Sequence, residues 1–331
     1  MALTLSPLIL GCEGISLTAS ERAFFSDSQP FGFILFARNL EHPAQVQAIC
    51  ADLRAAVGWH APIMIDQEGG RVSRMGAPHW YEFLPALEHA AQANSERLFW
   101  LRGRLIAENL YSSGIDANCA PLGDIAGPDT HEVLQNRCYG SDKESVIIHA
   151  RALEAGMRHG GVAGVLKHIP GHGRASLDSH LALPLVAAHH ADLRTTDFDV
   201  FRRLNYIGMG MTAHLVFQDI DPIAPATHSK PMIDVIRNEI GFDGLLMTDD
   251  ISMNALQGHL AERAQKAWAV GCDLVLHCNG NLQDMCSLAS VAPQPTAQTL
   301  RRIAQVIANQ PKPVPVDIQQ LKEEFDALMN E

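Results

Sequence analysis

Short apolar segments alternate with longer amphipathic segments along most of the chain. Eight of the apolar segments are four to six residues long and are bounded by glycine, proline or polar residues. Continuous short runs of this kind are typical of strands that are buried on both faces. The pattern predicts strands at residues 7–10, 31–36, 62–65, 115–120, 162–166, 206–211, 244–247 and 273–276.

The amphipathic segments between these strands carry helix start signals. Thr18 and Glu21 form a capping-box pattern, and Ser141 and Glu144 form a second one. Pro43 suits the first turn of a further helix, because its missing N–H has no partner there in any case. Five residues then fall on one face of that helix: Val46, Ile49, Cys50, Leu53 and Val57.

Eight strands that alternate with helices predict an α/β fold, a single-domain (β/α)8 barrel of the TIM type. We expect the barrel to occupy residues 1–310 and a C-terminal helical tail to occupy residues 311–331. An open doubly wound sheet would use the same strand ends, but it usually gathers its ligands at one switch point. No GxGxxG or GxxxxGK[ST] motif follows a strand, so no phosphate-binding loop is predicted.

Polar side chains follow the apolar part of most predicted strands. In a (β/α)8 barrel the carboxyl ends of the strands converge on one face, and the loops of that face build the site. We therefore expect seven side chains to converge there: Asp66, Asp124, Lys167, His168, His214, Asp249 and His277.

Composition narrows the class of partner. The chain has 331 residues and a formal net charge of -12 with no basic run, which excludes nucleic acid and anionic membrane surfaces as partners. The N-terminal segment lacks a secretion signal, and the seven cysteines form no metal-binding spacing, so we expect a cytoplasmic protein with reduced thiols. A small neutral or locally anionic ligand fits this charge best, and we expect a monomer rather than an obligate oligomer.

The stretch 161–180 joins a buried strand to a loop that is rich in ionisable groups. Lys167 and His168 stand at the end of the strand, and Asp178 and His180 follow in the glycine-rich loop. The two loop residues are two positions apart, so in an extended segment their side chains lie on the same side. A carboxylate can then orient the imidazole for proton transfer. A solvated polar turn is the simpler alternative.

Asp249 and Asp250 follow the seventh strand. Successive residues of an extended chain point in opposite directions, so only one of the two faces the barrel axis. If Asp249 does so, it is a candidate nucleophile or metal ligand. The alternative is that the pair caps the next helix.

The motif KHIPGHGRASLDSH resembles that of the bacterial exo-β-N-acetylglucosaminidases of glycoside hydrolase family 3, which act in the cytoplasm in peptidoglycan recycling. The resemblance extends from the second to the eighth strand, whereas the chain beyond about residue 290 adds nothing to it. Five further segments contribute in the matching order: LFARN at 35–39, IDQEGGRVSRM at 65–75, APLGD at 120–124, MTAH at 211–214 and GFDGLLMTDDISM at 241–253.

The resemblance implies a retaining hydrolase that removes non-reducing terminal N-acetylglucosamine (GlcNAc) from the muropeptide unit GlcNAc–1,6-anhydroMurNAc. It implies Asp249 as the nucleophile and His180, paired with Asp178, as the general acid and base. No cofactor and no metal are implied. The positions that match sugar-binding residues are Asp66, Arg74, Arg137, Lys167 and His168.

Two departures and two alternatives accompany this resemblance. The segment 134–139 lacks the glycine of the related motif, and Arg174 with Ala175 replaces the usual Asp-Thr. A β-glycosidase of other specificity would use the same fold, and a non-catalytic sugar-binding barrel is a related possibility. A metal-dependent barrel hydrolase would instead place four side chains around a metal ion: Lys167, His168, His214 and Asp249.

Overall fold

Eight parallel strands close into a barrel in the computed structural model, which describes residues 5–175 and 183–330. Neighbouring strands pair in chain order, and β1 closes the barrel against β8 with Leu8 opposite Val275. The (β/α)8 prediction is therefore confirmed. The strands are β1 Ser6–Leu10, β2 Pro30–Leu35, β3 Ile63–Ile65, β4 Ala117–Asn118, β5 Ala163–Ile169, β6 Met209–Thr212, β7 Leu245–Asp250 and β8 Leu274–His277.

Helices surround the barrel and cover the outer face of the sheet. Two short 3-10 turns (Ala37–Asn39 and Ala226–His228) and a π-helical segment (Val235–Glu239) complete the regular structure of the described residues, together with a separate pairing of Leu185–Val186 with Val216–Phe217. The α-helices are α1 Ala19–Ser28, α2 Pro43–Val57, α3 Ala86–Ala90, α4 Ser95–Ser112, α5 Glu132–Gln135, α6 Lys143–His159, α7 His190–Thr195, α8 Asp197–Arg203, α9 Lys230–Asp234, α10 Leu260–Val270, α11 Leu282–Val291, α12 Ala297–Ala308 and α13 Ile318–Leu328.

The hydrophobic core has two parts, as the two-sided burial of the strands requires. Side chains such as Ile9, Met64 and Met247 fill the interior of the barrel. Others, such as Leu8 and Leu246, pack outward against the helices. Because a barrel strand is buried on both faces, its sequence is a continuous apolar run rather than an alternating one. The eight short apolar segments therefore predicted the strands correctly.

Several predicted boundaries differ from the observed ones, such as the start of β6 at Met209 rather than at residue 206, and three of the differences have a clear local cause. Strand β5 continues through Lys167 and His168, and β7 continues through Asp249 and Asp250, because buried polar partners replace the apolar surroundings. Helix α6 is capped by Asp142, not by the predicted pair, since Asp142 accepts from both the amide (3.0 Å) and the hydroxyl (2.6 Å) of the residue three positions later. The capping box of Thr18 and Glu21 is confirmed.

The helix predicted for the C-terminal tail packs on the barrel domain. Phe325 of α13 is 2 % exposed and makes edge contacts with Tyr81 and Phe83 of the segment between β3 and α4. Arg97 and Glu324 add an ion pair between α4 and α13. The boundary at residue 310 remains a prediction.

None of the helices in residues 5–175 and 183–330 combines the length and apolar character that crossing a membrane requires.

Candidate active site

A pocket at the carboxyl ends of the strands contains most of the predicted site. Its lining includes six of the eight residues predicted for catalysis and sugar binding: Asp66, Arg74, Arg137, Lys167, His168 and Asp249. They come from β3 and its loop, the loop before α6, β5 and β7. The barrel thus brings together side chains that lie up to 183 positions apart, from Asp66 to Asp249.

Lys167 is the central cation of the pocket. Its Nζ donates to Oδ1 of Asp66 at 2.8 Å and lies 2.7 Å from Oε1 of Glu68. The side chain is 2 % exposed. Burial alone would lower the pKa of Lys167, but the carboxylates of Asp66 and Glu68 raise it above its ordinary value. The ammonium is therefore a permanent positive charge at neutral pH. The peptide bond between Lys167 and His168 is cis, and both side chains line the pocket.

Arg137 reaches the pocket although its loop lacks the glycine of the related motif. Its Nε and Nη2 donate to the two carboxylate oxygens of Glu68 at 2.9 and 2.8 Å. Burial would raise the pKa of Glu68, but Arg137 and Lys167 lower it well below its usual range. Nη2 of Arg74 lies 3.4 Å from Oδ2 of Asp66, the second carboxylate that Lys167 contacts. Two carboxylates and three cations thus form one network.

Sequence reasoning missed Glu68. It is the fourth residue of the IDQEGGRVSRM segment, and its position before two glycines is typical of an exposed loop. The structure buries its side chain to 2 % exposure. The sequence did offer one indication, because Glu68 lies in the same segment as Asp66 and Arg74, which were predicted to bind the sugar.

His168 is held by a buried carboxylate. Its Nδ1 lies 2.7 Å from Oδ2 of Asp124, a residue with no solvent exposure. The amide of His172 donates to the other oxygen of Asp124 at 2.7 Å. Burial would raise the pKa of Asp124, but His168 and His172 lower it. A histidine that uses Nδ1 on a carboxylate leaves Nε2 for another partner.

Asp249 lines the pocket and Asp250 does not. Burial would raise the pKa of Asp249, but His214, His168, the main-chain amide of Asp250 and Lys167 lower it, so its carboxylate is ionised at neutral pH. Asp250 instead accepts from the amide and hydroxyl of Ser252 at 3.1 and 2.6 Å. The alternative that this pair caps the next helix is wrong, because that helix, α10, begins at Leu260 with His259 as its cap.

Three of the seven side chains expected to converge lie behind the pocket wall: Asp124, which holds His168, and the two histidines His214 and His277. His214 contacts the Thr227 hydroxyl at 2.7 Å and the main-chain oxygen of Asp250 at 3.1 Å. His277 has no exposed surface, and its Nδ1 is 4.0 Å from Oδ1 of Asp250. Burial lowers the pKa of both imidazoles. They support the end of β7 rather than line the cavity.

Asp178 and His180 lie outside the described residues, so their role as acid and base remains a prediction. In the described part of the chain, no group of three or more His, Cys, Asp or Glu side chains is placed to hold a metal ion. The four-ligand arrangement that a metal-dependent hydrolase would need is not formed there, because Lys167 is already paired with carboxylates.

The arrangement suits reactions on a polar, uncharged ligand. Charged donors and acceptors on fixed side chains make strong, directional hydrogen bonds to hydroxyl groups. A buried, ionised carboxylate such as Asp249 can attack an electrophilic carbon of a ligand held in this way. The described residues thus provide binding groups and a candidate nucleophile in one cavity.

Comparisons with known proteins agree with this chemistry. The sequence model of the glycosyl hydrolase family 3 N terminal domain matches residues 10–307. A protein from Alkalilimnicola ehrlichii named beta-hexosaminidase is 39% identical over 83% of this chain and 81% of its own. A beta-hexosaminidase from Pseudomonas aeruginosa is 36% identical over 86% of each chain. The crystal structure of native NagZ from Neisseria gonorrhoeae superposes with a TM-score of 0.85 at 28% identity, covering 99% of this chain and 97% of that one.

Proposed function

The chain belongs to glycosyl hydrolase family 3 and is a glycoside hydrolase of the β-hexosaminidase type, and we propose that it removes terminal N-acetylglucosamine by a retaining mechanism. The observation that supports this most directly is the pocket in which ionised Asp249 shares a wall with Asp66, Lys167 and Arg137. The carboxylate supplies a nucleophile, and the charged groups supply partners for the hydroxyls of one sugar ring.

In the first step, a carboxylate oxygen of Asp249 forms a bond to the anomeric carbon of the sugar. The bond from that carbon to the leaving oxygen breaks, and this oxygen takes a proton from His180, which Asp178 orients. In the second step, neutral His180 takes a proton from water, and the water oxygen displaces Asp249 from the anomeric carbon. Two displacements at the same carbon retain its configuration. A histidine replaces the usual second carboxyl group, so carboxyl separation does not predict this outcome here.

The sugar-binding groups have complementary duties. Asp66 accepts hydrogen bonds from hydroxyls, whereas Lys167, Arg74 and Arg137 donate them. His168, held through Nδ1 by Asp124, presents its other nitrogen. Fixed partners of both kinds place the anomeric carbon against Asp249, and this orientation accounts for much of the rate that such enzymes achieve.

We propose GlcNAc–1,6-anhydroMurNAc as the natural substrate, in cytoplasmic recycling of cell-wall fragments. This follows from the resemblance of the loop motifs to the peptidoglycan-recycling group. The structure of NagZ from Neisseria gonorrhoeae in complex with N-trifluoroacetyl-D-glucosamine supports an N-acylated glucosamine as the sugar; it superposes on this chain with a TM-score of 0.85 at 28% identity.

One pair of substrates tests the proposal. The purified protein should hydrolyse an aryl β-N-acetylglucosaminide much faster than the matching aryl β-glucoside, and proton NMR should detect β-GlcNAc as the first-formed anomer. A preference for the glucoside would refute the acetamido specificity, and an α product would refute retention. The disaccharide GlcNAc–1,6-anhydroMurNAc, with and without a peptide stem, then tests the natural substrate.

A further inference from the structure

Glu68 lies behind the sugar-binding wall and does not line the pocket, although Asp66, Arg137 and Lys167 all do. Its carboxylate is enclosed by protein, with 2 % of the side chain exposed. A sugar bound in the pocket would therefore contact Arg137 and Lys167 but not the carboxylate of Glu68 between them. Any effect of Glu68 on the reaction has to pass through these cations.

Both cations contact this one carboxylate, and Lys167 also donates to Asp66. Oε1 of Glu68 lies 2.7 Å from Nζ of Lys167 and accepts a hydrogen bond from Nη2 of Arg137 at 2.8 Å. Its Oε2 accepts from Nε of Arg137 at 2.9 Å. Lys167 belongs to β5, whereas Arg137 belongs to the loop before α6. No hydrogen bond or ion pair from the Arg137 side chain to a residue other than Glu68 is found among the described residues. Glu68 thus bridges the two cations and places Arg137 beside Lys167.

The backbone of Glu68 is fixed in its turn. Arg102 of α4, which has no exposed surface, donates from Nε (3.1 Å) and Nη2 (2.5 Å) to the main-chain oxygen of Glu68. The following Gly69 has φ +89°, and a Cβ there would lie 2.4 Å from Nη2 of Arg102. Only glycine lets the loop approach the guanidinium this closely. The position of Glu68 is therefore set before any sugar arrives.

We propose that Glu68 is a positioning residue that holds Arg137 and Lys167 in the geometry required for sugar binding. Long basic side chains lose rotamer freedom when they bind a ligand, and this loss weakens binding unless they are held in advance. A buried carboxylate between them provides that order and offsets their mutual repulsion. The inference rests on the proposed function, because it takes Arg137 and Lys167 as sugar ligands.

The test is steady-state kinetics of Glu68→Gln on an aryl β-N-acetylglucosaminide. The amide keeps the volume but presents a donor to two cations. Loss of a charged hydrogen bond predicts a KM about 10- to 100-fold higher. We expect a smaller change in kcat, because the nucleophile Asp249 is not hydrogen-bonded to Glu68. The inhibition constant of free GlcNAc should rise by the same factor as KM.

Asp273→Asn is the matched control. Asp273 is a buried carboxylate (4 % exposed) that, like that of Glu68, pairs with two cations, in this case Arg237 at 2.7 Å and Arg302 at 3.0 Å, but it directly precedes β8 and lies away from the pocket. This variant should lower the thermal midpoint without changing KM. A general loss of stability is thereby separated from a loss of positioning.

A double-mutant cycle tests the route of the effect. In an Arg137→Met background, Glu68→Gln should raise KM by a clearly smaller factor than in the wild type, because one of its two targets is gone. If Glu68→Gln does not fold, Glu68→Asp takes its place in the cycle. A wild-type KM in a folded Glu68 variant, or full additivity with Arg137→Met, overturns the inference. Neither outcome touches the proposed function, which the unaltered enzyme tests by itself.

Discussion

The main-chain amide of Asp250 donates a hydrogen bond to Oδ1 of Asp249 at 2.8 Å. The second residue of the pair thereby orients the carboxylate of the first. Its own carboxylate is held by Ser252, and its carbonyl oxygen is held by His214. The adjacent acids consequently have different duties, since Asp249 lines the pocket and Asp250 anchors the end of β7.

Replacement of Asp249 by glycine should reduce kcat by at least about a thousandfold, because no covalent intermediate can form. Sodium azide should restore part of the activity, since the small anion fits the space left by the carboxylate. It attacks the anomeric carbon from the side opposite the leaving group, so the product should be the α-glycosyl azide, identified by NMR. A β-azide, or substantial activity without azide, would contradict the role of Asp249 as the nucleophile. Asp27→Gly, on the exposed surface of α1, controls for the substitution itself.

Asp124→Asn should raise KM by about tenfold or more, because His168 loses the charged partner that fixes its ring. The carboxylate of Asp124 binds both the His168 imidazole and the main-chain amide of His172. The asparagine side chain has only one oxygen and cannot accept from both in this geometry. Kinetics on the aryl substrate, with circular dichroism to verify folding, measures the effect. An unchanged KM in a folded variant would mean that His168 does not bind the sugar.

The sequence predicted the barrel because each strand is buried on both faces and leaves a short apolar run. It predicted the pocket residues because carboxyl-terminal strand ends meet on one face. It failed where burial depends on distant partners. Lys167 and His168 are strand residues, yet the apolar pattern stops before them, since their surroundings are ion pairs rather than hydrocarbon.

Glu68 shows the same limit more strongly. Its burial depends on Arg137, Lys167 and Arg102, which lie 69, 99 and 34 positions along the chain, and no local pattern encodes these contacts. Similarly, the capping-box pattern predicted Ser141 as the cap of α6, and only the geometry at residue 145 shows that Asp142 is the cap. The loop residues Asp178 and His180 were selected from motif and spacing, and they remain predictions.

His180→Ala should slow hydrolysis most for substrates with poor leaving groups, because these need a proton in the first step. A dinitrophenyl glycoside, whose leaving group departs as an anion, should form its glycosyl–enzyme intermediate nearly as fast as with the wild type. In the wild type, the rate of the first step should fall as the pH rises and the acid loses its proton. This decline should be absent in the variant. Equal losses on all leaving groups would exclude His180 as the acid.

Activity should survive exhaustive dialysis against EDTA without loss, and added zinc or magnesium should not raise it. The reason is that the proposed mechanism requires only a carboxylate and a proton donor. Loss of activity on chelation, restored by one metal, would instead favour the metal-dependent alternative. The same dialysis without chelator is the control.

His89 should make the protein less stable as the pH falls. Burial, with a smaller contribution from Arg102, lowers the pKa of His89 from 6.5 to about 3. The neutral ring accepts a hydrogen bond from Nη1 of Arg102 at 2.8 Å. Below pH 6.5, His89 binds a proton in the unfolded state but not in the folded state. The free energy of unfolding is therefore highest above pH 6.5 and decreases as the pH falls toward 3. The loss should reach about 2 kcal/mol by pH 5.

Urea unfolding of the wild type and of His89→Gln at pH 7 and pH 5 measures how much His89 contributes to the pH dependence of the free energy of unfolding. The glutamine can still accept from Arg102 but does not titrate, so the free energy of unfolding of the wild type should fall by about 2 kcal/mol more than that of the variant. His79→Gln, at an exposed position in the same segment, should follow the wild type. Parallel changes in the wild type and His89→Gln would show that His89 binds a proton equally well in the folded and unfolded states, and would refute the lowered pKa of the buried imidazole.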